Sequence, residues 1–276
     1  MTVGICGLGL IGGSMAKAYK ADGHTVLGYD KDPATLGYAM LDNICDGELN
    51  DETVSKCDLL FIALYPAVAI EYLKSVASLV RKDTVVIDLC GTKKSVCECG
   101  FALAAKYRFT FVGGHPMAGT QYSGIKYSRA TLFKGAPMVI VPHVFDDIAF
   151  LDRIKALLSP AGFSKITVTT AEKHDETIAF TSQLAHVVSN AYVKSPTAKV
   201  HKGFSAGSYK DMTRVAWLNE HMWSELFLEN REPLLFEIDS IISSLSEYRS
   251  AIAADDKEKL TQLLRDGRIA KEKIDG

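Results

Sequence analysis

The sequence predicts an α/β protein in which a doubly wound, mostly parallel sheet is followed by an all-helical segment. Three observations lead to this fold class. Short β-rich runs alternate with helical stretches up to about residue 170, and after that point only helical periodicity continues. Several of the runs are apolar throughout, which is typical of parallel strands covered on both faces.

Seven runs are predicted to be strands, and they are TVGIC (2–6), HTVLGYD (24–30), CDLLFIALY (57–65), DTVVIDLC (83–90), RFTFVGG (108–114), APMVIVP (136–142) and KITVTT (165–170). Between them, residues 66–80 and 94–106 show helical periodicity. Residues 171–195 are predicted to form one long helix, with Glu172 and Asp175 suited to its positive end. Pro233 predicts a kink or a restart in the next helical stretch. We therefore expect two domains, residues 1–170 and 171–276.

The composition excludes several classes of protein. With 47% hydrophobic and 23% charged residues, the 276-residue chain is typical of globular proteins. A net charge of −2 without a basic block argues against nucleic-acid binding. The longest apolar run, residues 59–70, is too short to span a bilayer, and no signal peptide precedes the first strand, so we expect a cytoplasmic protein without a membrane partner. The six cysteines lack the spacing of a zinc site, so no metal is expected.

A glycine motif follows the first predicted strand. Gly7, Gly9 and Gly12 form G-x-G-x-x-G, a helix is predicted to begin near Leu10, and Asp30 ends the second strand about twenty residues downstream. This context predicts a Rossmann-type dinucleotide site, although a glycine turn that only packs a helix on a sheet is the alternative. Asp30 would bind ribose hydroxyls and repel a 2′-phosphate, which favours NAD over NADP, while Lys31 could partly tolerate the phosphate. The predicted cofactor-binding residues are Gly7, Gly9, Leu10, Ile11, Gly12, Asp30, Lys31, Tyr65 and Pro66.

Two further strand ends point to the same edge of the sheet. Tyr65 and Pro66 follow the third run, and Thr92 follows the fourth. Open α/β sheets bind ligands at the carboxyl ends of their strands. Tyr65 and Pro66 could therefore line the nucleotide, and Thr92 could reach the reacting centre, unless they only serve the loops.

His115 follows the fifth run, directly after Gly113 and Gly114 and before Pro116. The glycines permit a turn and the proline restricts His115 to an extended conformation, so we expect a loop that fixes the direction of an imidazole. A surface or capping histidine is the alternative.

Two polar features stand out in the helical part. Ser182, His186 and Asn190 recur at spacings of four, which indicates either one side of a ligand pocket or a solvent-facing stripe. Arg214 is expected on the first turns of a helix, where it would bind a carboxylate or pair with Asp211.

Taken together, these segments resemble the prephenate/arogenate dehydrogenase family of tyrosine biosynthesis. The matching pieces are GLGLIGGS with GYDKD, DLCGTKKSV, VGGHPMAGT, TSQLAHVVSNA and GSYKDMTRVAW…MWSELFLEN, which span nearly the whole chain. The resemblance implies an NAD-dependent oxidative decarboxylation of prephenate to 4-hydroxyphenylpyruvate, with CO₂ and NADH released. Its alternative is an arogenate dehydrogenase that forms tyrosine directly, and tyrosine is a candidate feedback inhibitor.

The resemblance also implies roles for individual residues. His115 matches the family's catalytic histidine, and Thr92 lies where the family usually has a serine near the nicotinamide and the substrate hydroxyl. Arg214 matches the arginine that binds the ring carboxylate. Gln121 lies where several prephenate-using members have a glutamate. The positions that match the lining of the substrate pocket are Ser182, His186 and Gly207.

Two other functions are considered for this sequence. One is a β-hydroxyacid dehydrogenase or imine reductase, and the other is a non-catalytic NAD-binding sensor. The β-hydroxyacid dehydrogenases and imine reductases place a lysine or another acid on the first interdomain helix, and TSQLAHVVSNA has no such lysine. The presence of both His115 and Arg214 argues against the sensor. The helices after residue 218 are too apolar to stay exposed, so we expect a homodimer.

Overall fold

The computed structural model of the protein describes residues 1–120 and 122–275, and eight strands form one sheet in this part of the chain. The strands are β1 (Thr2–Cys6), β2 (Thr25–Tyr29), β3 (Gly47–Glu48), β4 (Leu59–Ile62), β5 (Val85–Asp88), β6 (Thr110–Pro116), β7 (Pro137–Val141) and β8 (Lys165–Val168). Their order across the sheet is β3-β2-β1-β4-β5-β6-β7-β8. The predicted strands are therefore confirmed, and β3 was missed because a two-residue strand carries no periodicity.

Helices connect most of the strands and continue after the last strand. They are α1 (Leu10–Ala21), α2 (Pro33–Leu41), α3 (Pro66–Val76), α4 (Lys94–Tyr107), α5 (Ile148–Leu158), α6 (Ala171–Ile178), α7 (Ala185–Tyr192), α8 (Gly207–Thr213), α9 (Glu220–Glu229), α10 (Arg231–Ala253) and α11 (Lys257–Asp275). After β8, every element within the described residues is helical.

The sheet changes direction once, at β6. The first half of β6 pairs in parallel with β5, with Val86 opposite Phe111, and the second half pairs antiparallel with β7, with His115 opposite Val139. Because the other neighbouring strands are parallel, the carboxyl ends of β1, β4, β5 and β6 lie at one edge of the sheet. This is the edge at which open α/β sheets bind ligands.

Apolar residues on both faces of the sheet explain its burial. Strands β4 and β5 are buried along their whole length, as expected for strands covered on both sides. Side chains of α1 and α5, such as Tyr19 and Leu158, pack on one face, and side chains of α3 and α4, such as Leu73 and Val96, pack on the other. Since the core lies on both sides of the sheet, the binding edge remains available at the strand ends.

The predicted helix over 171–195 is wrong in one respect. A π-helical turn over Ala179–Leu184 separates α6 from α7, and α7 ends at Tyr192. The predicted restart near Pro233 is confirmed, since α9 ends at Glu229 and α10 begins at Arg231. No helix among the residues described is both long and apolar enough to cross a membrane.

Candidate active site

Each glycine of the predicted nucleotide loop meets a different steric demand. Gly7 has φ +89°, and a Cβ there would lie 2.4 Å from the carbonyl oxygen of Ala63. A Cβ on Gly12 would lie 1.8 Å from the carbonyl oxygen of Gly7, whereas nothing lies within 4 Å of a Cβ on Gly9. Gly7 and Gly12 therefore allow the helix and the strands to meet, and Gly9 leaves open space for a ligand.

The amino end of α1 offers unpaired amide groups next to that space. Helix α1 begins at Leu10, as predicted, and no side chain caps it. Its first backbone hydrogen bond runs from Gly13 N to Gly9 O, so the N–H groups of Leu10, Ile11 and Gly12 precede the first intrahelical donor. These amides and the helix dipole suit a pyrophosphate.

Asp30 lies beside the glycine loop, as predicted. Its Oδ2 accepts a hydrogen bond from Leu8 N at 2.8 Å, and its Oδ1 accepts one from Asp32 N at 3.0 Å. The carboxylate is thus held at the carboxyl end of β2, with lone pairs left for ribose hydroxyls. Lys31 is exposed.

Tyr65 and Pro66 form the start of α3 at the same edge. Tyr65 precedes the helix and is 45% exposed, whereas Pro66 is buried at the first helical position. The helical part of the chain reaches this site, because Glu225 of α9 accepts a hydrogen bond from Ala67 N at 3.0 Å. The structure thus leaves the Tyr65 side chain accessible to a ligand and places Pro66 in the packing beneath it.

His115 lies within β6 and not in a loop, which corrects the expectation drawn from the glycines. The antiparallel partner β7 keeps the strand regular through Pro116. Gly114 has a different role from the predicted turn, since a Cβ there would lie 2.5 Å from Asp88 O. The strand itself therefore fixes the direction of the imidazole.

A chain of hydrogen bonds leads from His115 into α6. His115 Nδ1 lies 2.9 Å from Nε2 of His174, and His174 Nδ1 lies 2.7 Å from Oδ1 of Asp175. Asp175 also accepts hydrogen bonds from the backbone of Lys93, at 2.8 Å, and of Lys94, at 2.9 Å. The same carboxylate therefore holds the histidine pair and satisfies amides at the start of α4.

A buried ion pair lies next to the hydrogen bonds that link His115, His174 and Asp175. The side chains of Lys93 and Asp88 are fully buried and in contact, and Lys93 Nζ donates to Gly114 O at 2.7 Å. Burial is the largest single effect and would lower the pKa of Lys93, but the Asp88 carboxylate together with Cys90 and Cys97 holds this pKa above its ordinary value. The ammonium group thus lies close to the two imidazoles and is paired with the Asp88 carboxylate.

The imidazoles of His115 and His174 are both held neutral. Burial, with a smaller contribution from His174 and Lys93, lowers the pKa of His115 well below 6.5. Burial also lowers the pKa of His174, although its hydrogen bond to Asp175 opposes this shift. A neutral imidazole at the carboxyl edge of a sheet can accept a proton from a substrate.

Thr92 is buried and lies against α9. Its Oγ1 donates to Oε2 of Glu229 at 3.5 Å, and Ser95 also hydrogen-bonds this carboxylate. Burial, followed by Glu225 and Asp175, raises the pKa of Glu229. Glu229 thus contacts a predicted site residue, and no motif in the sequence indicated it.

His186 lies on α7. Its ring stacks on Trp223 with 3.7 Å between the centroids, and its Nδ1 donates to the backbone oxygen of Ser182 at 2.9 Å. Burial first, and then the charge of Arg214, lowers the pKa of His186, whereas the bond to Ser182 raises it. Ser182 therefore contacts His186 through its carbonyl group, and the predicted role of its hydroxyl stays a prediction.

Arg214 is placed differently from the expectation. It follows the last residue of α8 and begins a short 3₁₀ turn, Arg214–Ala216, so it does not lie on the first turns of a helix. The guanidinium is exposed and, within the described residues, forms no ion pair with Asp211. Gly207 begins α8 with open space around its Cα, and Gln121 lies outside the described residues.

Comparisons with known proteins agree with this arrangement. The family model "Prephenate dehydrogenase, nucleotide-binding domain" matches residues 15–167, and "Prephenate dehydrogenase, dimerization domain" matches residues 170–266. A cyclohexadienyl dehydrogenase from Zymomonas mobilis is 30% identical over 98% of this chain and 94% of its own length.

Two solved structures share the whole fold. The prephenate dehydrogenase from A. aeolicus, in complex with hydroxyphenyl propionate and NAD⁺, has a TM-score of 0.83 and 28% identity, and the match covers 99% of this chain and 98% of that one. The arogenate dehydrogenase from Synechocystis has a TM-score of 0.81 and 25% identity, covering 99% of this chain and 100% of that one. By its family models and its relatives, the chain belongs to the prephenate dehydrogenase family.

Proposed function

We propose that the protein catalyses the NAD-dependent oxidative decarboxylation of prephenate to 4-hydroxyphenylpyruvate, with release of CO₂ and NADH. The observation that carries this proposal is the position of His115, a neutral imidazole at the carboxyl edge of the sheet that bears the glycine loop. Membership of the family and the prephenate dehydrogenase from A. aeolicus agree with this reaction.

The cofactor site fits NAD. Open space beside Gly9, the amides that begin α1 and the Asp30 carboxylate suit the pyrophosphate and the adenosine ribose. NAD⁺ accepts a hydride when it is bound there. Asp30 would lie close to a 2′-phosphate, so NADP is disfavoured.

His115 moves the proton in this reaction. As hydride leaves ring C4, His115 takes the proton of the hydroxyl on that carbon. The bond between C1 and the carboxylate then breaks, its electron pair enters the ring, and CO₂ departs. His115 returns its proton to the phenolate oxygen of the aromatic product, so no net proton is consumed or released.

Arg214 and His186 belong to the proposed substrate pocket. Arg214 is an exposed guanidinium without a carboxylate partner among the described residues, which suits binding of the ring carboxylate. Thr92 orients the hydroxyl or the nicotinamide, and the other proposed pocket residues are Ser182, Gly207 and Gln121.

Arogenate is the second candidate substrate, and the His186 ring favours it. Because Nδ1 of His186 donates to Ser182 O, the neutral ring carries its lone pair on Nε2. That lone pair would accept a hydrogen bond from the ammonium group of arogenate, whereas the ketone of prephenate offers no donor. The cyclohexadienyl and arogenate dehydrogenases among the relatives are consistent with this alternative.

We also propose a homodimer formed by the helical part. Helix α10 exposes large apolar side chains, including Phe236, 69% exposed, and Ile242, 54% exposed. The family model that matches residues 170–266 is described as a dimerization domain. Such a face on a helix is typical of an interface between copies.

The assay follows NADH formation from prephenate and from arogenate, with NAD⁺ and NADP⁺, with and without tyrosine. We expect turnover with NAD⁺ and a fall in kcat of roughly 10²–10⁴-fold for His115→Asn, with KM little changed. The control variant is His143→Gln, because His143 is exposed and lies outside the predicted site motifs. This variant should retain activity. Arg214→Gln should mainly raise KM. If neither substrate is turned over by the unmodified chain, the proposal is wrong.

A further inference from the structure

We propose that His174 is a positioning residue, oriented by Asp175, that fixes the tautomer of His115 and leaves Nε2 of His115 as the basic nitrogen. This inference rests on the proposed function for its catalytic meaning. The tautomer itself follows from hydrogen-bond donors and acceptors, and it can be measured without turnover.

The first step concerns Asp175, whose carboxylate can only accept hydrogen bonds. Its Oδ1 receives the backbone N–H of Lys93 at 2.8 Å, and its Oδ2 receives the backbone N–H of Lys94 at 2.9 Å. The contact of 2.7 Å between Oδ1 and His174 Nδ1 therefore requires a proton on Nδ1. Both donors from α4 hold the carboxylate in place, so its direction is set by the fold.

The second step passes from His174 to His115. His174 is buried, with 3% of its surface exposed, and burial keeps its ring neutral. With its proton on Nδ1, His174 presents the lone pair of Nε2, which lies 2.9 Å from His115 Nδ1. His115 must therefore donate from Nδ1, and its own lone pair is on Nε2.

The third step concerns the charged state of His115. When Nε2 takes the substrate proton, the imidazolium still donates its Nδ1–H to His174, and this bond becomes charge-assisted. The Asp175 carboxylate, which is hydrogen-bonded to His174, attracts the positive charge that forms on His115. Lys93 opposes it, but the contact between Lys93 and Asp88 balances that charge. His174 thus stabilises the Nδ1–H tautomer of His115 before proton transfer and the His115 imidazolium after it.

Two variants separate positioning from packing. His174→Gln retains a carbonyl oxygen that can accept from His115 Nδ1, whereas His174→Leu fills similar space without an acceptor. For His174→Leu we expect kcat to fall roughly 10²–10⁴-fold with KM within about 2-fold, since loss of an orienting partner acts on the base. We expect His174→Gln to recover at least about tenfold of that loss. His143→Gln is the matched control and should behave as the unmodified chain.

The tautomer is read by ¹⁵N NMR of the full chain labelled at histidine, without substrate and at neutral pH. The His115 signals are assigned as those missing from His115→Asn. We expect a proton on Nδ1 of His115 in the unmodified chain and in His174→Gln, and a shift towards Nε2 in His174→Leu. A proton on Nε2 of His115 in the unmodified chain would overturn the inference, as would unchanged kcat in His174→Leu.

The two readouts also separate this inference from the proposed function. Absence of turnover with prephenate and arogenate would remove the proposed reaction, while the NMR measurement would still decide the tautomer. If His174→Leu fails to fold, the tautomer in the unmodified chain remains the deciding result.

Discussion

The buried pair of Lys93 and Asp88 allows the stability of the site to be tested directly. Replacing Lys93 by methionine removes the ammonium group and leaves a fully buried carboxylate. Asp88 would keep two weaker partners, Cys90 N at 2.9 Å and Gly114 N at 3.2 Å, while Gly114 O would lose its 2.7 Å donor. The change therefore leaves a buried carboxylate held only by two backbone amides, and one carbonyl group without its donor.

The expected cost follows from the burial of the pair. Breaking a buried ion pair by removing one partner costs about 3–5 kcal/mol, and no reduction for solvent screening applies because both side chains are 0% exposed. For a unit of this size, the melting temperature should fall on the order of 10 °C. A second variant, Asp88→Asn combined with Lys93→Met, removes both charges and keeps an acceptor for the two backbone donors. Its stability should lie within about 1–2 kcal/mol of the unmodified chain.

Urea unfolding measures this difference as a shift of the midpoint at constant m value. Lys259→Met is the matched control, because Lys259 and Glu247 form a half-exposed ion pair at 3.2 Å whose loss should cost less than about 1 kcal/mol. The reasoning fails if Lys93→Met costs no more than the control. It also fails if the double variant is as unstable as the single one.

Three further predictions concern the cofactor loop, pH and assembly. Gly12→Ala should abolish binding of NAD⁺, measured by calorimetry, since its Cβ would lie 1.8 Å from Gly7 O; normal binding would contradict the proposed loop geometry. Because the pKa of His115 and of His174 is lowered in the folded chain, the unfolded chain binds more protons below pH 6.5. Their contribution to the free energy of unfolding should be fully present above about pH 6.5 and lost as the pH falls towards the lowered values, and His115→Asn should flatten this dependence in urea titrations. Phe236→Asp should convert the dimer to a monomer in light scattering, whereas Leu41→Asp, at an 86% exposed position on α2, should leave it intact; a dimeric Phe236→Asp would exclude this interface.

Features decided by residues close in sequence could be predicted. The apolar runs, the start of α1 at Leu10 and the place of Asp30 beside the glycine loop follow from periodicity and from one motif. The restart of the helix near Pro233 follows from the missing N–H of proline. The helix boundaries depend on local interactions, and the place of Asp30, 22 positions from its partner Leu8, follows from the fixed spacing of the dinucleotide motif.

Features decided by distant partners could not be predicted. His115 and His174 are 59 positions apart, and Lys93 and Asp175 are 82 positions apart. The sequence indicates Asp175 only as a favourable charge at a helix start, whereas in the structure its carboxylate hydrogen-bonds the histidine at the preceding position. Antiparallel pairing with β7 carries β6 past the two glycines that suggested a loop.

The π-helical turn between α6 and α7 has a geometric consequence for the site. His174 and His186 are separated by twelve positions, so in an uninterrupted α-helix they would point about 120° apart. A π turn acts as a one-residue insertion, which reduces this angle to about 20° and aligns the two imidazoles along one side of the helix. Deleting a single residue within Ala179–Leu184 would separate the two histidines by eleven positions, and in an uninterrupted α-helix that separation also gives an angle of about 20°. Such a deletion should therefore remove the π turn and keep His186 on the same side of the helix as His174.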